Sequence, residues 1–388
     1  MKQTAAIIST YAADISGICS AMYELGGMTV MHDASGCNST YNTHDEPRWY
    51  DMDSLVFISG LSEMDALLGN DDKLVDDILS AAQDLHPRFI TIGGTPIPMM
   101  MGTDFPAVAR QIERETGIMT FGINTDGMHS YISGISKAFT MLAQRVCLEH
   151  IEKTSAISVN ILGATPLDFS INGTIQAMED ILREHQIEVH GVWAMHTSSS
   201  KDLYQQIQTA GAAHVNLVIS SCGLQAAKVL WERFQIPYVI GTPCGNGFTS
   251  KIIEAVLRAA KTGQHQNVCK NFPNGKTVII GESITALSLA NAIYDTTKKE
   301  VKVLCPVDIE EELLSDGCIK ARDEAELIPY LKDAQIIIAD PMYKPICPKK
   351  AKFVSLPHEG FSGRIYRHQI PRLVDGFDSF LEKAGMKK

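Results

Sequence analysis

The feature that most constrains this chain is a rhythm. Short apolar runs alternate with amphipathic stretches of roughly 10 to 15 residues along the whole sequence. Such runs read as buried strands, and a helical stretch between each pair is what parallel neighbours require, because a parallel strand is reached only by a crossover. In the first third, Leu55 to Ile58 and Phe89 to Ile92 read as strands, with Lys73 to Gln83, Ala107 to Thr116 and Met128 to His150 as helices. A second series runs through strands Ser158 to Leu162, Glu188 to Trp193, Val215 to Ile219 and Tyr238 to Ile240, with helices near Ile171 to His185 and at Leu224 to Phe234. A third has strands Thr277 to Ile280, Val301 to Leu304 and Ile336 to Ala339. The pattern predicts an α/β chain of three doubly wound parallel-sheet domains, 1–152, 153–265 and 266–388, divided near Glu152 to Ser155 and by the polar segment Thr262 to Gly275.

Composition narrows the classes. The 388 residues are 45% apolar and 20% charged, and no apolar stretch approaches the roughly 18 residues that cross a bilayer. Asp14 interrupts the apolar start, which reads as a strand and turn of a cytoplasmic protein and not as a leader. Nine cysteines at irregular spacing in a chain of this size argue against a disulfide framework. A net charge of -11, with no basic stripe interleaved with aromatics, argues against nucleic acid as a partner.

Open parallel sheets bind ligands beyond the carboxyl ends of their strands. The loops to watch are therefore Ser59 to Glu63, Gly93 to Met101, Gly163 to Ser170, Trp193 to Ser200, Ser220 to Gly223, Gly241 to Gly247 and Leu356 to Gly363. Cys19 and Cys37 stand near the start with no CxxC spacing, so they are either small buried apolar residues or isolated metal ligands gathered by the fold. Gly36 allows close backbone approach beside Cys37, where amides at a helix start would favour thiolate.

Several of these segments resemble one family. H-D-A-S-G-C (His32 to Cys37) resembles the H-G-P-x-G-C element of the nitrogenase component 1 superfamily. S-G-L-S-E-M-D-A-L-L-G-N-D-D-K-L (Ser59 to Leu74) resembles its LSE segment, and G-G-T-P-I-P-M-M-M-G-T-D-F (Gly93 to Phe105) its third cluster loop. Leu217 to Tyr238 and L-P-H-E-G-F-S-G-R (Leu356 to Arg364) resemble its second- and third-domain signatures. The matches are in order and cover most of the chain.

The resemblance implies three Rossmann-like domains, paired chains and an iron-sulfur cluster at the chain interface, reduced by a separate ATP-hydrolysing iron protein. This chain has no GxxxxGK[ST] and would be the electron-accepting component. Cys19 takes the place of the family's first cluster cysteine, and Thr95-Pro96 stands where nitrogen-fixing members carry a third. The implied centre is a 4Fe-4S cluster held by Cys19 and Cys37 from each of two chains, in a homodimer or a heterodimer with a related chain, with Thr95 lining it. Cys222 and His358 fall near the family's positions for a second metal cofactor, and are read as pocket residues or proton donors to a small-molecule or tetrapyrrole substrate. Cys244, in a Gly-rich loop, is a cofactor-loop candidate or a turn residue, and His196 faces the same cleft or caps a helix. Met99 to Met101 flank an apolar ligand or pack in the core, and Cys147, Cys269, Cys305, Cys318 and Cys347 read as structural. The roles left open are a reductase component, a scaffold for cofactor assembly, and a ligand-binding homologue without redox work.

Overall fold

The computed structural model describes residues 6–7, 12–36, 46–69, 71–199, 202–270, 272, 274–315 and 318–387. Among the described residues fourteen strands form three wholly parallel sheets, as the rhythm requires. The first contains β1 (Met28–His32), β2 (Leu55–Ile58), β3 (Ile90–Gly94) and β4 (Thr120–Ile123), in the order β2-β1-β3-β4. The second contains β5 (Ser158–Leu162), β6 (Glu188–Val192), β7 (Val215–Val218), β8 (Tyr238–Ile240) and β9 (Gln266–Asn267), in the order β6-β5-β7-β8-β9. β10 (Thr277–Ile280), β11 (Val301–Cys305), β12 (Cys318–Lys320), β13 (Ile336–Ala339) and β14 (Lys352–Ser355) make the third, in the order β12-β11-β10-β13-β14. Each sheet is doubly wound. The order of winding reverses between β1 and β3, between β5 and β7, and between β10 and β13, the switch points at which such sheets bind ligands. β9 carries the second sheet past residue 265, where its domain was expected to close.

Central strands are buried on both faces. All five residues of β1, β3 and β5 are buried, which is why they read as continuous apolar runs. One core cluster continues through all three sheets, and a second fills the outer face of the first sheet, where Ile90 and Ile92 meet Leu74, Ile78 and Phe105. Among the described residues no helix is long and apolar enough to cross a membrane.

The helix Tyr131–Arg145 ties the first sheet's elements to the second's. It packs on the helix Asp14–Met22 on one side and on Leu224–Phe234 on the other. Two glycines set the first crossing: a Cβ at Gly134 would lie 1.8 Å from the Asp14 carbonyl oxygen, and one at Gly17 would lie 2.2 Å from that of Tyr131. Backbone cannot retreat as a flexible side chain can. Gly134→Ala should therefore destabilise the protein by roughly 2–3 kcal/mol, read as a lower urea midpoint; an unchanged midpoint would show that the two helices slide apart freely.

Candidate functional site

The loops leaving the switch points of the second and third sheets face one another, and their side chains build a cleft. After β5, the one-turn helix Pro166–Phe169 ends at Ser170, a non-glycine residue at φ 54 and ψ -169. That strained turn is held by the Ser170 N–H donating to the Pro166 carbonyl at 2.7 Å and by the Ser170 hydroxyl donating to Glu359 at 3.3 Å. The consequence is the placement of Asp168 and Phe169 at the cleft wall.

Asp168 is the hub. Its side chain is fully buried. Tyr131 Oη, from the helix after the first sheet, donates to Oδ1 at 2.5 Å, and Ser220 Oγ, from the loop after β7, donates to Oδ2 at 2.5 Å. His358 Nε2, from the loop after β14, stands 3.4 Å from Oδ1, and Cys222 Sγ stands 4.0 Å from Oδ2. One carboxylate thus gathers groups from all three sheet units. Burial first, then the Asp168 charge, pushes both the Tyr131 phenol and the Cys222 thiol well above their ordinary values, so both keep their protons.

His358 begins the short helix Glu359–Ser362, and its Nδ1 accepts the Gly360 N–H at 3.1 Å. The neutral ring therefore carries its proton on Nε2, which has no aligned hydrogen-bond acceptor among the described residues. Asp340, after β13, fixes the loop by accepting the His358 N–H at 2.8 Å and the Ser362 hydroxyl at 2.7 Å. Burial nevertheless pushes the Asp340 carboxyl up. The imidazole stacks on Phe361 with centroids 4.5 Å apart.

Beside this cluster lies a cavity of about 100 Å³. Its wall is mainly aliphatic and aromatic, with Asp168, Glu282, His358, Thr174, Thr242, Thr285 and Cys244 as polar members. Glu282 is wholly buried and accepts the N–H groups of Ser221, Ile284 and Thr285.

The sequence candidates divide. His358 and Cys244 line the cavity, and Cys222 touches the same carboxylate as His358 from behind the wall. Cys244 is buried at the start of the helix Gly245–Thr262, and burial pushes its thiol up. His196 is elsewhere: it is half-exposed and pairs through Nδ1 with Glu24 at 3.1 Å. Thr95 is buried at the start of the helix Pro96–Met101, its hydroxyl without a hydrogen-bond partner among the described residues. Gly36 is exposed, and among the described residues nothing lies within 4 Å of where its Cβ would be. Met99 and Met100 are exposed and line neither core nor cleft. Asp168, Tyr131, Ser220, Glu282 and Asp340 were not anticipated; the loop Gly163 to Ser170 was flagged, but nothing in it singled out its acid.

Metal chemistry can be tested against these residues. Cys37 lies outside the described residues. Cys19 sits in the helix Asp14–Met22 with no exposed surface, in the common core, and burial, helped by Glu46, pushes its thiol up. A core-facing thiol of this kind does not fit a ligand presented to a second chain. Cys222 and His358 both approach Asp168, but among the described residues no three His, Cys, Asp or Glu side chains form a metal-ion site.

Comparison with known proteins agrees with the architecture. The chain is 27% identical over 184 residues to the nitrogenase iron-molybdenum cofactor biosynthesis protein NifE of Clostridium pasteurianum, covering 47% of this chain and 38% of that protein. It is 24% identical over 253 residues to the nitrogenase molybdenum-iron protein alpha chain of the same organism, covering 64% and 44%. It is 24% identical over 262 residues to a subunit of the light-independent protochlorophyllide reductase of Leptolyngbya boryana, covering 58% and 50%. The matches thus span half or less of these relatives' own length. A solved structure titled nitrogenase Cp1 at pH 6.5 superposes over 100% of this chain and 94% of its own, with a TM-score of 0.69 at 14% identity, which shows the shared fold. The family model for nitrogenase component 1 type oxidoreductases matches residues 22–275, about two thirds of the chain, and the chain belongs to that family.

Proposed function

We propose that this chain is the substrate-binding component of a nitrogenase-like two-component reductase, and that the Asp168–His358 cleft is where the substrate binds. The observation that carries this reading is the single buried carboxylate that gathers Tyr131, Ser220, Cys222 and His358 beside an apolar cavity. In it, His358 Nε2–H holds the substrate's acceptor atom by a hydrogen bond, and the apolar wall excludes water from the rest of the molecule. Electrons come from an ATP-dependent iron protein, and the chain works in the cytoplasm as a dimer with its own copy or with a related chain. An interfacial 4Fe-4S cluster stays in the proposal through Cys37, with ligands other than Cys19.

Assembly of a metal cofactor, as the name of the NifE relatives suggests, is the competing role. The carboxylates in the cleft wall weigh against it.

The test is anaerobic purification with iron and sulfide counting and electron paramagnetic resonance, followed by mixing with a nitrogenase-type iron protein and MgATP. A reduced paramagnetic signal that appears only with MgATP supports the reading. Protein that stays colourless and silent after reconstitution with iron and sulfide overturns it. Cys37→Ala should lose iron, whereas Cys19→Ala should keep it and lose about 1–2 kcal/mol of stability, as a buried core thiol does. Iron lost from Cys19→Ala that still folds would return Cys19 to the ligand set.

A further inference from the structure

The charge of the cleft wall points to a ligand class. The cavity lies between the second and third sheets, and among the described residues no lysine or arginine lines it. Its acidic members, Asp168 and Glu282, are both wholly buried. Glu282 accepts three backbone N–H groups and the Ser283 hydroxyl, and Asp168 accepts the Tyr131 and Ser220 hydroxyls. An anion entering this space would give up its hydration, meet no counter-charge and face two fixed negative charges across a poorly screened gap. The donor left over is His358 Nε2–H, whose proton position is fixed by the Gly360 N–H on the other ring nitrogen.

Size sets a second limit. A cavity of about 150 Å³ lined by apolar side chains is filled by a single benzene ring. The space here is about 100 Å³, open at one side. A macrocycle or a large metal-sulfur cluster is too large to be enclosed by it.

We infer that the cleft selects a small, neutral, largely apolar organic molecule of monocyclic size, bearing a carbonyl or similar acceptor that takes the hydrogen bond from His358 Nε2, and that it rejects anions. This deepens the proposed function and rests on the reading of the cleft as the substrate site. It differs from the expectation of a second metal cofactor or a tetrapyrrole there.

The test uses the full chain, free of iron, and four probes of similar ring size: cyclopentanone, cyclopentanecarboxylate, cyclopentylammonium and methylcyclopentane. Binding is followed by ligand-observed nuclear magnetic resonance. The ketone should bind at least tenfold more tightly than the carboxylate, and more tightly than the ammonium or the hydrocarbon. His358→Leu should erase the preference for ketone over hydrocarbon, and His358→Gln, which keeps a donor, should retain part of it. Ala286→Phe, which fills the cavity, should abolish binding of all four. A carboxylate that binds as well as the ketone overturns the inference. So does an ammonium that binds better than the ketone, or a ketone that does not bind wild type at all. The outcomes separate from those of the reductase test. A chain that takes no electrons yet prefers the ketone sinks the reductase reading alone, and a chain reduced by the iron protein that prefers the carboxylate sinks this inference alone.

Discussion

Asp168→Ala should cost about 3–5 kcal/mol of stability, the sum of what two stranded buried hydroxyls and one unbalanced imidazole lose. The Tyr131 and Ser220 hydroxyls, each 2.5 Å from the carboxylate, would be left without their acceptor in a region closed to water. Neither can turn outward, since Tyr131 is wholly buried and Ser220 is too. The damage would be spread across the molecule, because Tyr131 belongs to the helix that bridges the first two sheets and His358 to the third. Hydrogen exchange should accelerate first around residues 356–363 and 163–170, ahead of the sheets.

Conservative variants separate the contributions. Asp168→Asn keeps one acceptor oxygen and the shape, and should cost about 1–2 kcal/mol; Tyr131→Phe removes one donor and its hydroxyl together, and should cost about 1 kcal/mol. If both changes are combined, their effects should fall short of additive, because the two groups share one hydrogen bond. Urea denaturation of the set checks the order. An Asp168→Ala protein within about 1 kcal/mol of wild type would show that the three sheet units are held together elsewhere.

The fold was legible where strands are central and long. Ser158–Leu162, Tyr238–Ile240, Thr277–Ile280 and Ile336–Ala339 stand where the apolar runs place them, because a strand buried on both faces has little freedom in composition. Thr120–Ile123, Cys318–Lys320, Lys352–Ser355 and Gln266–Asn267 escaped notice. All four are sheet edges, formed because a neighbouring strand offers its hydrogen bonds and not because their own sequences insist. The site was legible only at the level of loops. His358, Cys222 and Cys244 follow β14, β7 and β8, and their loops meet around one cleft. His196 also follows a strand, but its loop pairs with Glu24 and not with the cleft. Asp168 is one of 45 acids with no distinguishing spacing, and Tyr131 reaches it from 37 positions away. Cys19 shows the same limit from the other side: a thiol's spacing is silent about which way its helix turns it.

The second large effect lies at the other junction, where His196 belongs. Arg48 is 4% exposed and is paired with two carboxylates, Glu24 at 2.7 Å and Glu46 at 2.6 Å. Its guanidinium also donates to the carbonyls of Ser20 and Ala194 and lies 4.6 Å from the Tyr23 ring centroid. Burial first, with Glu46 next, pushes the Tyr23 phenol up to about 12, so it remains a donor to the Met52 carbonyl. Ala194 follows β6 at a left-handed φ of 70, which leaves its carbonyl for Arg48 to satisfy, and Glu24 in turn accepts the His196 N–H at 2.8 Å. One cation thus fastens the first sheet unit to the edge of the second. Arg48→Ala should cost about 3–5 kcal/mol, because two carboxylates would remain buried without it. Arg48→Lys keeps the charge but not the planar set of donors and should recover less than half of that loss. The decisive comparison is the triple variant Arg48→Ala, Glu24→Gln, Glu46→Gln. If uncompensated charge is the cost, the triple variant should be more stable than Arg48→Ala alone by at least about 1 kcal/mol. If lost packing and carbonyl contacts are the cost, it should be no better. Faster hydrogen exchange in residues 192–197 of Arg48→Ala, with residues 356–363 unaffected, would show that the three units are joined by two independent buried clamps, one at Arg48 and one at Asp168.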